Sequence, residues 1–132
     1  MALYIDTSFL LAIIRQELEA LVAIWEQDEV RIKSILLHAE CMVTLRRLGR
    51  EADTERMLEE LISEVSLRTV DAGIIGVLAS EAHLSGCRTL DVLHLATALD
   101  FKRRTGIEPV FCSLDQRLRS IATDLGFRLQ PE

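Results

Sequence analysis

Short apolar runs alternate with helical patterns along the whole chain, and this alternation restricts the folds available to it. Five runs are typical of strands: residues 2–5, 30–34, 66–70, 110–112 and 127–129. Strands linked by helices lie parallel, and a parallel sheet must be covered by helices on both faces. The helical share is high, so the sheet must be small. The sequence therefore predicts an α/β fold, a three-layer α/β/α sandwich with a small, mostly parallel sheet.

Helices are predicted where apolar residues recur at intervals of three and four. The clearest cover residues 9–14, 17–27, 36–48, 53–64 and 90–104, with Thr89 as the cap of the last. Another extends from an Asp71 cap through Ala82, and the capping-box pattern Ser113-Leu114-Asp115-Gln116 opens a helix to Leu125. Glycines at 49, 86, 106 and 126 stand where helices should end.

Length and composition favour a single domain over residues 1–132, because no linker, repeat or low-complexity segment divides the chain. Apolar residues make up 49% and charged residues 27%, a balance that argues against disorder. No apolar run approaches the roughly 20 residues that span a bilayer, so we expect no membrane contact. The N-terminus lacks the features of a signal peptide, and we therefore expect a cytoplasmic protein.

The three cysteines, Cys41, Cys87 and Cys112, are odd in number and far apart. This spacing favours neither a zinc site nor a disulfide framework. We expect buried, reduced thiols.

Four acidic residues stand where this fold gathers side chains. Asp6 ends the first strand, and Asp91 and Asp115 fall in the first turns of predicted helices. The carboxyl ends of parallel strands and the N-termini of the following helices share one edge of the sheet, so these three should converge. Glu40 lies about one turn inside its helix and has a longer side chain. Each acid alone has a structural explanation. An Asp in the first turn stabilises a helix through its dipole by roughly 0.3–1 kcal/mol, and Glu40 fits an exposed helix position.

Gathering four carboxylates is unfavourable unless cations or arginines neutralise them. Two carboxylates about 4 Å apart repel by roughly 4 kcal/mol at an effective dielectric near 20. Oxygen ligands suit Mg²⁺ or Mn²⁺, which share phosphate oxygens of a substrate. Such ions promote phosphodiester hydrolysis without a Ser, Cys or His nucleophile. We therefore predict a catalytic metal site formed by Asp6, Glu40, Asp91 and Asp115.

The net charge of −6 is unusual for a protein that binds nucleic acid. Part of the imbalance comes from acids that bound cations would neutralise. Basic residues also gather in runs, among them Arg46-Arg47 and Lys102-Arg103-Arg104. We expect these two runs to line the route by which a phosphate backbone reaches the acids, although each run alone is typical of a solvated helix end.

Four motifs together resemble the PIN domain family. They are Asp6-Thr7-Ser8 after a strand, Glu40 with Arg47 seven residues later, the segment Arg88 to Ala98, and the segment Ser113 to Leu118. Their order and spacing extend the resemblance from Tyr4 to Phe127. Residues 89–98 are its most specific part.

The resemblance implies a ribonuclease dependent on Mg²⁺ or Mn²⁺, with Asp6, Glu40 and Asp91 as the main ligands and Asp115 completing the site. Small single-domain members are often VapC-like toxins of toxin–antitoxin pairs and are commonly dimeric. An RNA substrate, a cognate antitoxin and a homodimer are therefore implied. Helices 17–27 and 53–64 are candidates for the protein contacts, although their apolar stripes fit a core equally well.

Three hydroxyl residues are expected to support the acids. Thr7 and Ser8 stand beside Asp6, where they hold that side chain or a metal-bound water, or serve as plain helix caps. Ser113 stands where the family more often has Thr, and its hydroxyl is expected to orient Asp115. His94 and His38 lie near proposed acids in sequence, and for both we expect local packing or hydrogen bonding within a helix.

Other enzyme and signalling classes fit less well. A receiver-type signalling domain needs a second acid beside Asp6, and an aspartyl phosphatase needs an acid at Ser8. The main alternative is a PIN-like fold that binds RNA or protein with weak or no cleavage, and the acidic balance keeps it open.

Overall fold

The computed structural model of the chain describes residues 2–27, 30–34, 36–49, 52–68, 72–84 and 87–132. Its strands are β1 (Ala2–Ile5), β2 (Val30–Ser34), β3 (Ser66–Arg68), β4 (Pro109–Cys112) and β5 (Leu129–Gln130). Its helices are α1 (Thr7–Ile14), α2 (Ala20–Glu26), α3 (Leu36–Arg47), α4 (Ala52–Ser63), α5 (Ala72–Ser80), α6 (Thr89–Thr105) and α7 (Gln116–Asp124), with a 3₁₀ turn at Ala82–Leu84. In the described ranges, no helix is long and apolar enough to cross a membrane.

The described strands form one parallel sheet in the order β3-β2-β1-β4-β5. The central strand β1 pairs with β2 on one side and with β4 on the other. The chain moves outward from β1 to β3 and then returns to form β4 and β5 on the opposite side. In such sheets the reversal opens a crevice at the carboxyl ends of the two strands that flank it, here β1 and β4. The predicted parallel sheet is confirmed.

Helices cover both faces of the sheet because side chains alternate along each strand. Leu3 and Ile5 of β1 pack with apolar residues of α1, α2, α3 and α4. Ala2 and Tyr4 face the other way and pack with apolar residues of α5, α6 and α7. The predicted three-layer α/β/α sandwich is confirmed.

Helices α2 and α5 are shorter than predicted. The helix predicted at 17–27 begins at Ala20, because Gln16 has a left-handed φ of 55° and the N–H of Glu17 bonds back to Ala12. The helix predicted to continue through Ala82 ends at Ser80. The 3₁₀ turn that follows buries Leu84 in the core.

The end of the sheet also differs from the prediction. The last strand is Leu129–Gln130 and not 127–129, because Phe127 is buried with its ring 6.0 Å from that of Phe111. Pro109, predicted in a turn, begins β4 instead. The left-handed φ values predicted for the helix-ending glycines are found at Gly49, Gly106 and Gly126. The predicted Asp71 cap, Gly86 and residues 69–70 lie outside the described residues.

Candidate active site

Asp6 directly follows β1 and lies at the crevice between β1 and β4. Its backbone N–H donates to the carbonyl oxygen of Cys112, the last residue of β4, at 3.0 Å. Asp6 is the N-cap residue of α1, yet its side chain makes no capping hydrogen bond. Although the residue is only 3% exposed, its carboxylate is therefore available for contacts within the crevice.

Two serine hydroxyls fix the Asp6 carboxylate. Ser8 Oγ and Ser113 Oγ each donate to Asp6 Oδ2 at 2.6 Å. Ser8 Oγ also accepts the backbone N–H of Leu114 at 2.9 Å, which ties α1 to the loop after β4. Hydroxyl–carboxylate bonds of this length are charge-assisted and strong. The two serines expected to support the acids therefore both bind Asp6.

Asp115 is itself the N-cap of α7. Its Oδ1 accepts the backbone N–H groups of Arg117 and Leu118 at 2.9 and 3.2 Å. The predicted capping box with Ser113 as the cap is therefore wrong, and Asp115 precedes the first turn. The reason is that the Ser113 hydroxyl donates to Asp6 and accepts the N–H of Asp115. Its link to Asp115 is retained, but through the backbone.

Glu40 of α3 is joined to the site through one of its two oxygens. Thr7 Oγ1 donates to Glu40 Oε1 at 3.2 Å, and His94 Nε2 lies 2.8 Å from the same oxygen. Thr7 therefore supports Glu40 and not Asp6. Burial by itself lowers the pKa of His94, but the hydrogen bond to Glu40 and the neighbouring carboxylate charges raise that pKa above its ordinary value.

His94 is a site residue that sequence reasoning missed. We expected a local role, whereas the ring contacts Glu40 on another helix and, through Nδ1, the hydroxyl of Tyr4 in β1 at 2.9 Å. Nε2 also lies 3.9 Å from Asp6 Oδ1. The one available signal was the spacing of three residues from Asp91, which places both on roughly the same face of α6.

Asp91 lies in the first turn of α6, as predicted, but the cap residue is Arg88, and Thr89 is the first helical residue. Burial and the charges of Asp115 and Asp6 raise the pKa of Asp91, while nearby cations, Arg88 foremost, oppose the rise. Asp6, Asp91 and Asp115 therefore share one electrostatic environment at the carboxyl edge of the sheet.

Arg88 and Arg117, to which we had assigned no role, flank these acids. They line an open cavity of about 210 Å³ together with Asp91 and Asp115. In the described part of the chain neither guanidinium takes part in an ion pair. Unpaired guanidinium groups beside a polar cavity are suited to bind phosphate.

The first predicted basic run is divided between two environments. Arg47 lines a second open cavity, of about 360 Å³, with Thr7, Glu40 and other residues of α3. Arg46 instead bonds to Glu55 of α4 at 3.3 Å. Only Arg47 of this pair therefore borders the acids.

The second predicted basic run lies at the far end of α6 from Asp91. At about 1.5 Å per residue, Asp91 and Lys102 are separated by roughly 16 Å along the helix axis. The three side chains form ion pairs away from the acids: Lys102 with Glu108, Arg103 with Glu81 and Arg104 with Asp100. Contrary to the prediction, the structure does not place Lys102, Arg103 and Arg104 beside the acids.

The cysteines take no part in the candidate site. Cys41 and Cys112 are buried free thiols, as predicted, and burial raises the pKa of each to about 12. Cys87 is also a free thiol but is only partly buried.

The acids fit Mg²⁺ or Mn²⁺ by the chemistry of their donor atoms, which are all carboxylate oxygens. Within the described ranges, no three His, Cys, Asp or Glu side chains are arranged as a ready metal site. The hydrogen bonds of Asp6 and Glu40 leave Asp6 Oδ1 and Glu40 Oε2 open. Burial and the charges of Asp115 and Asp6 keep the pKa of Asp91 above its ordinary value although Arg88 and His94 lower it. A divalent cation would bind the open oxygens and would favour the ionised form of Asp91.

The chain matches the family model described as PIN domain over residues 3–124. The matched region extends from β1 to α7 and contains all four acids of the candidate site. No curated protein matches the chain.

Proposed function

The chain belongs to the PIN domain family, and from this premise we propose that it is an endoribonuclease dependent on Mg²⁺ or Mn²⁺. PIN domains are generally nucleases, which hydrolyse phosphodiester bonds. The observation that most directly supports the proposal is the convergence of the acids: His94 Nε2 lies 2.8 Å from Glu40 Oε1 and 3.9 Å from Asp6 Oδ1, and Asp91 and Asp115 line one cavity. Burial and the charges of Asp115 and Asp6 also raise the pKa of Asp91. Keeping like charges together does not stabilise a fold, and a bound cation removes that conflict.

The four acids have different roles in the proposed site. Asp6, Glu40 and Asp91 would hold the cation, and Asp115 would complete the acidic edge. A bound Mg²⁺ or Mn²⁺ supplies a Lewis acid that generates a nucleophile from water and stabilises charge on the phosphate.

Neighbouring hydroxyls hold the carboxylates in place before substrate binds. Ser8 and Ser113 restrain Asp6, and Thr7 restrains Glu40. Groups that are already oriented need no reorganisation during the reaction, which is a main source of catalytic power.

Arginines on the same edge bind the phosphate backbone in the proposed complex. Arg88 and Arg117 border Asp91 and Asp115, and Arg47 borders Glu40. In the proposed complex the phosphate backbone meets this local positive charge, which matters more for binding than the net charge of −6.

The decisive test measures RNA cleavage during Mn²⁺ titration. We expect Asp6→Asn and Asp91→Asn each to reduce cleavage by more than the roughly 10–100-fold typical of changes around metal ligands. Asp53→Asn is the matched control, because the Asp53 side chain is 83% exposed and pairs with Arg56 in the same helix, α4. Unchanged cleavage in both active-site variants would show that a contaminant cuts the RNA.

We also propose that the protein is the toxin of a toxin–antitoxin pair, acts in the cytoplasm and forms a homodimer. An apolar groove of about 560 Å³ lies between α1, α2 and α4 and is lined by Ile13, Leu18, Val22, Met57 and Leu61, among others. Leu18 and Val22 are 49% and 44% exposed. Exposed apolar residues that line a groove are typical of a protein contact.

A PIN-like module that binds RNA or protein without cleavage is the second candidate, because a net charge of −6 is unusual for a nuclease. An RNA-binding module predicts binding that Asp6→Asn and Asp91→Asn leave intact, and a protein-binding module predicts no RNA binding; neither gives metal-dependent products. A DNA substrate is distinguished in the same assay by adding single-stranded DNA of matched sequence.

A further inference from the structure

Hydrogen bonds join three side chains, Tyr4, His94 and Glu40, and so connect β1 to the edge of the sheet where the acids lie. The Tyr4 hydroxyl lies 2.9 Å from His94 Nδ1, and His94 Nε2 lies 2.8 Å from Glu40 Oε1. Tyr4 and His94 are 0% and 2% exposed, so water does not compete for the bond between them. Glu40, the outermost of the three, is partly exposed.

The direction of the bonds follows from the chemistry of the groups. An ionised carboxylate only accepts, so His94 Nε2 carries the proton that it shares with Glu40. In the neutral ring Nδ1 is then an acceptor and the Tyr4 hydroxyl is its donor, whereas in the protonated ring Nδ1 donates to the Tyr4 oxygen. In both protonation states Tyr4 holds the ring with Nε2 directed at Glu40.

The bond from His94 fixes how Glu40 presents its second oxygen. Thr7 also binds Oε1, so Oε2 stays open for another ligand. The same imidazole nitrogen lies 3.9 Å from Asp6 Oδ1, the open oxygen of the first acid. One ring therefore bonds to Glu40 and lies beside Asp6, which the two serines hold.

We propose that His94, held by Tyr4, is a positioning residue that orients Glu40 beside Asp6 so that the two carboxylates bind one divalent cation. The inference rests on the proposed metal-dependent function, and it adds a residue whose role is to organise ligands. Partners that orient metal ligands typically contribute 10–100-fold to metal affinity.

Two amide variants separate the proposed role from simple packing. In His94→Gln the amide nitrogen can occupy the place of Nε2 and donate to Glu40. In His94→Asn the shorter side chain reaches only the place of Nδ1, so the bond to Glu40 is lost. Tyr4→Phe removes the hydroxyl while keeping the buried ring.

The experiment measures Mn²⁺ affinity by calorimetry on the full chain without RNA. We expect His94→Gln to bind Mn²⁺ within about threefold of the parent, and His94→Asn to bind about 10–100-fold more weakly. Tyr4→Phe should weaken binding in the same direction but less. Leu99→Ala is the control, because it opens a cavity on the same helix in the same core without touching Glu40.

Three results overturn the inference. One is His94→Asn binding Mn²⁺ as the parent does. Another is His94→Gln losing affinity as fully as His94→Asn, since that indicates direct ligation by the ring. The third is Leu99→Ala losing as much affinity as His94→Asn, since that reduces the effect to lost stability.

Cleavage measured in parallel separates this inference from the proposed function. A parent that binds Mn²⁺ but cuts no RNA contradicts the nuclease alone, and the variants still decide the role of His94. A parent that cuts RNA, with equal Mn²⁺ affinity in every variant, contradicts the His94 inference alone. A parent that binds no Mn²⁺ contradicts both.

Discussion

The two oxygens of the Asp6 carboxylate have different surroundings. Oδ2 accepts two serine hydroxyls at 2.6 Å, whereas Oδ1 lies 3.9 Å from His94 Nε2. Holding one oxygen rigidly while leaving the other open is what a metal ligand requires, because orientation is fixed without the coordinating atom being consumed. The same division applies to Glu40, whose bonds both involve Oε1.

The negative charge of Asp91 destabilises the folded protein when no cation is bound. Because burial, Asp115 and Asp6 raise its pKa, Asp91→Asn should increase the melting temperature in EDTA by about 2–4 °C, equivalent to roughly 1 kcal/mol. The gain should vanish below about pH 4, where the parent carboxyl is protonated in the folded and unfolded states.

Calorimetry at several pH values checks this prediction, with Asp53→Asn as the exposed control. Added Mn²⁺ should raise the melting temperature of the parent but not that of Asp91→Asn. A melting temperature of Asp91→Asn below that of the parent in EDTA would contradict the proposed crowding of charge.

Lys33 gives the clearest pH dependence outside the site. It is 6% exposed in β2, and burial lowers its pKa although Glu59 opposes the shift. Between the lowered pKa and the ordinary value near 10.4 the unfolded chain binds more protons, so this residue makes stability rise with pH. Lys33→Met should therefore stabilise the protein at pH 7 by about 1 kcal/mol, and the gain should shrink toward pH 10.

Urea unfolding of parent and Lys33→Met at both pH values tests this. Thiol ionisation in the unfolded chain affects both proteins equally and cancels in the difference. A gain that grows with pH would show that the lysine is better solvated than its burial indicates.

At the scale of elements, α6 has two chemically different ends. Its first turn brings Asp91 to the acidic edge, and its last turn carries Lys102, Arg103 and Arg104 to the opposite end, where each pairs with an acid. A helix of 17 residues is roughly 25 Å long, so one element serves two separate surfaces.

RNA binding should therefore depend on the N-terminal end of α6 and not on its C-terminal end. The double variant Arg88→Gln/Arg117→Gln should weaken binding to single-stranded RNA and lower the salt slope of log K by about 0.7 for each phosphate that the protein no longer neutralises. The matched control is Lys102→Gln/Arg103→Gln, which removes the same charge at the far end and should leave the slope unchanged. Fluorescence anisotropy in EDTA measures both, and equal slopes for the two variants would contradict this placement.

At the scale of the whole molecule, the parallel sheet brings distant residues to one edge. Asp6 and Ser113 are 107 positions apart in sequence and share a hydrogen bond. The apolar groove between α1, α2 and α4 lies on the layer whose helices pack on Leu3 and Ile5. That layer is where the proposed dimer forms.

Val22→Glu should shift the proposed dimer toward monomer, because it places a charge in an apolar interface. Ile75→Glu is the control, since Ile75 is 63% exposed on α5 in the opposite layer. Sedimentation velocity across a range of concentrations compares the two. A parent protein that is monomeric at the highest concentration removes the dimer proposal.

Most of the fold could be predicted from local patterns. The position of Asp6 after an apolar strand and that of Asp91 in a first helical turn follow from periodicity, which reports how each segment is buried. Local sequence patterns gave wrong predictions where a side chain bonds to a residue distant in sequence. The Ser113 hydroxyl bonds to Asp6 and so leaves the cap of α7 to Asp115, and no pattern within 113–116 shows this.

The sequence by itself determined the class of fold and the small parallel sheet, and it predicted the four acids, because alternation and strand ends are local properties. Only the tertiary structure decided which cations border those acids and which buried ring orients Glu40. Tyr4 and His94 are 90 residues apart, and His94 and Glu40 are 54 apart. Such pairings depend on strand order and helix packing, which are set by the burial of the whole chain and not by any one segment.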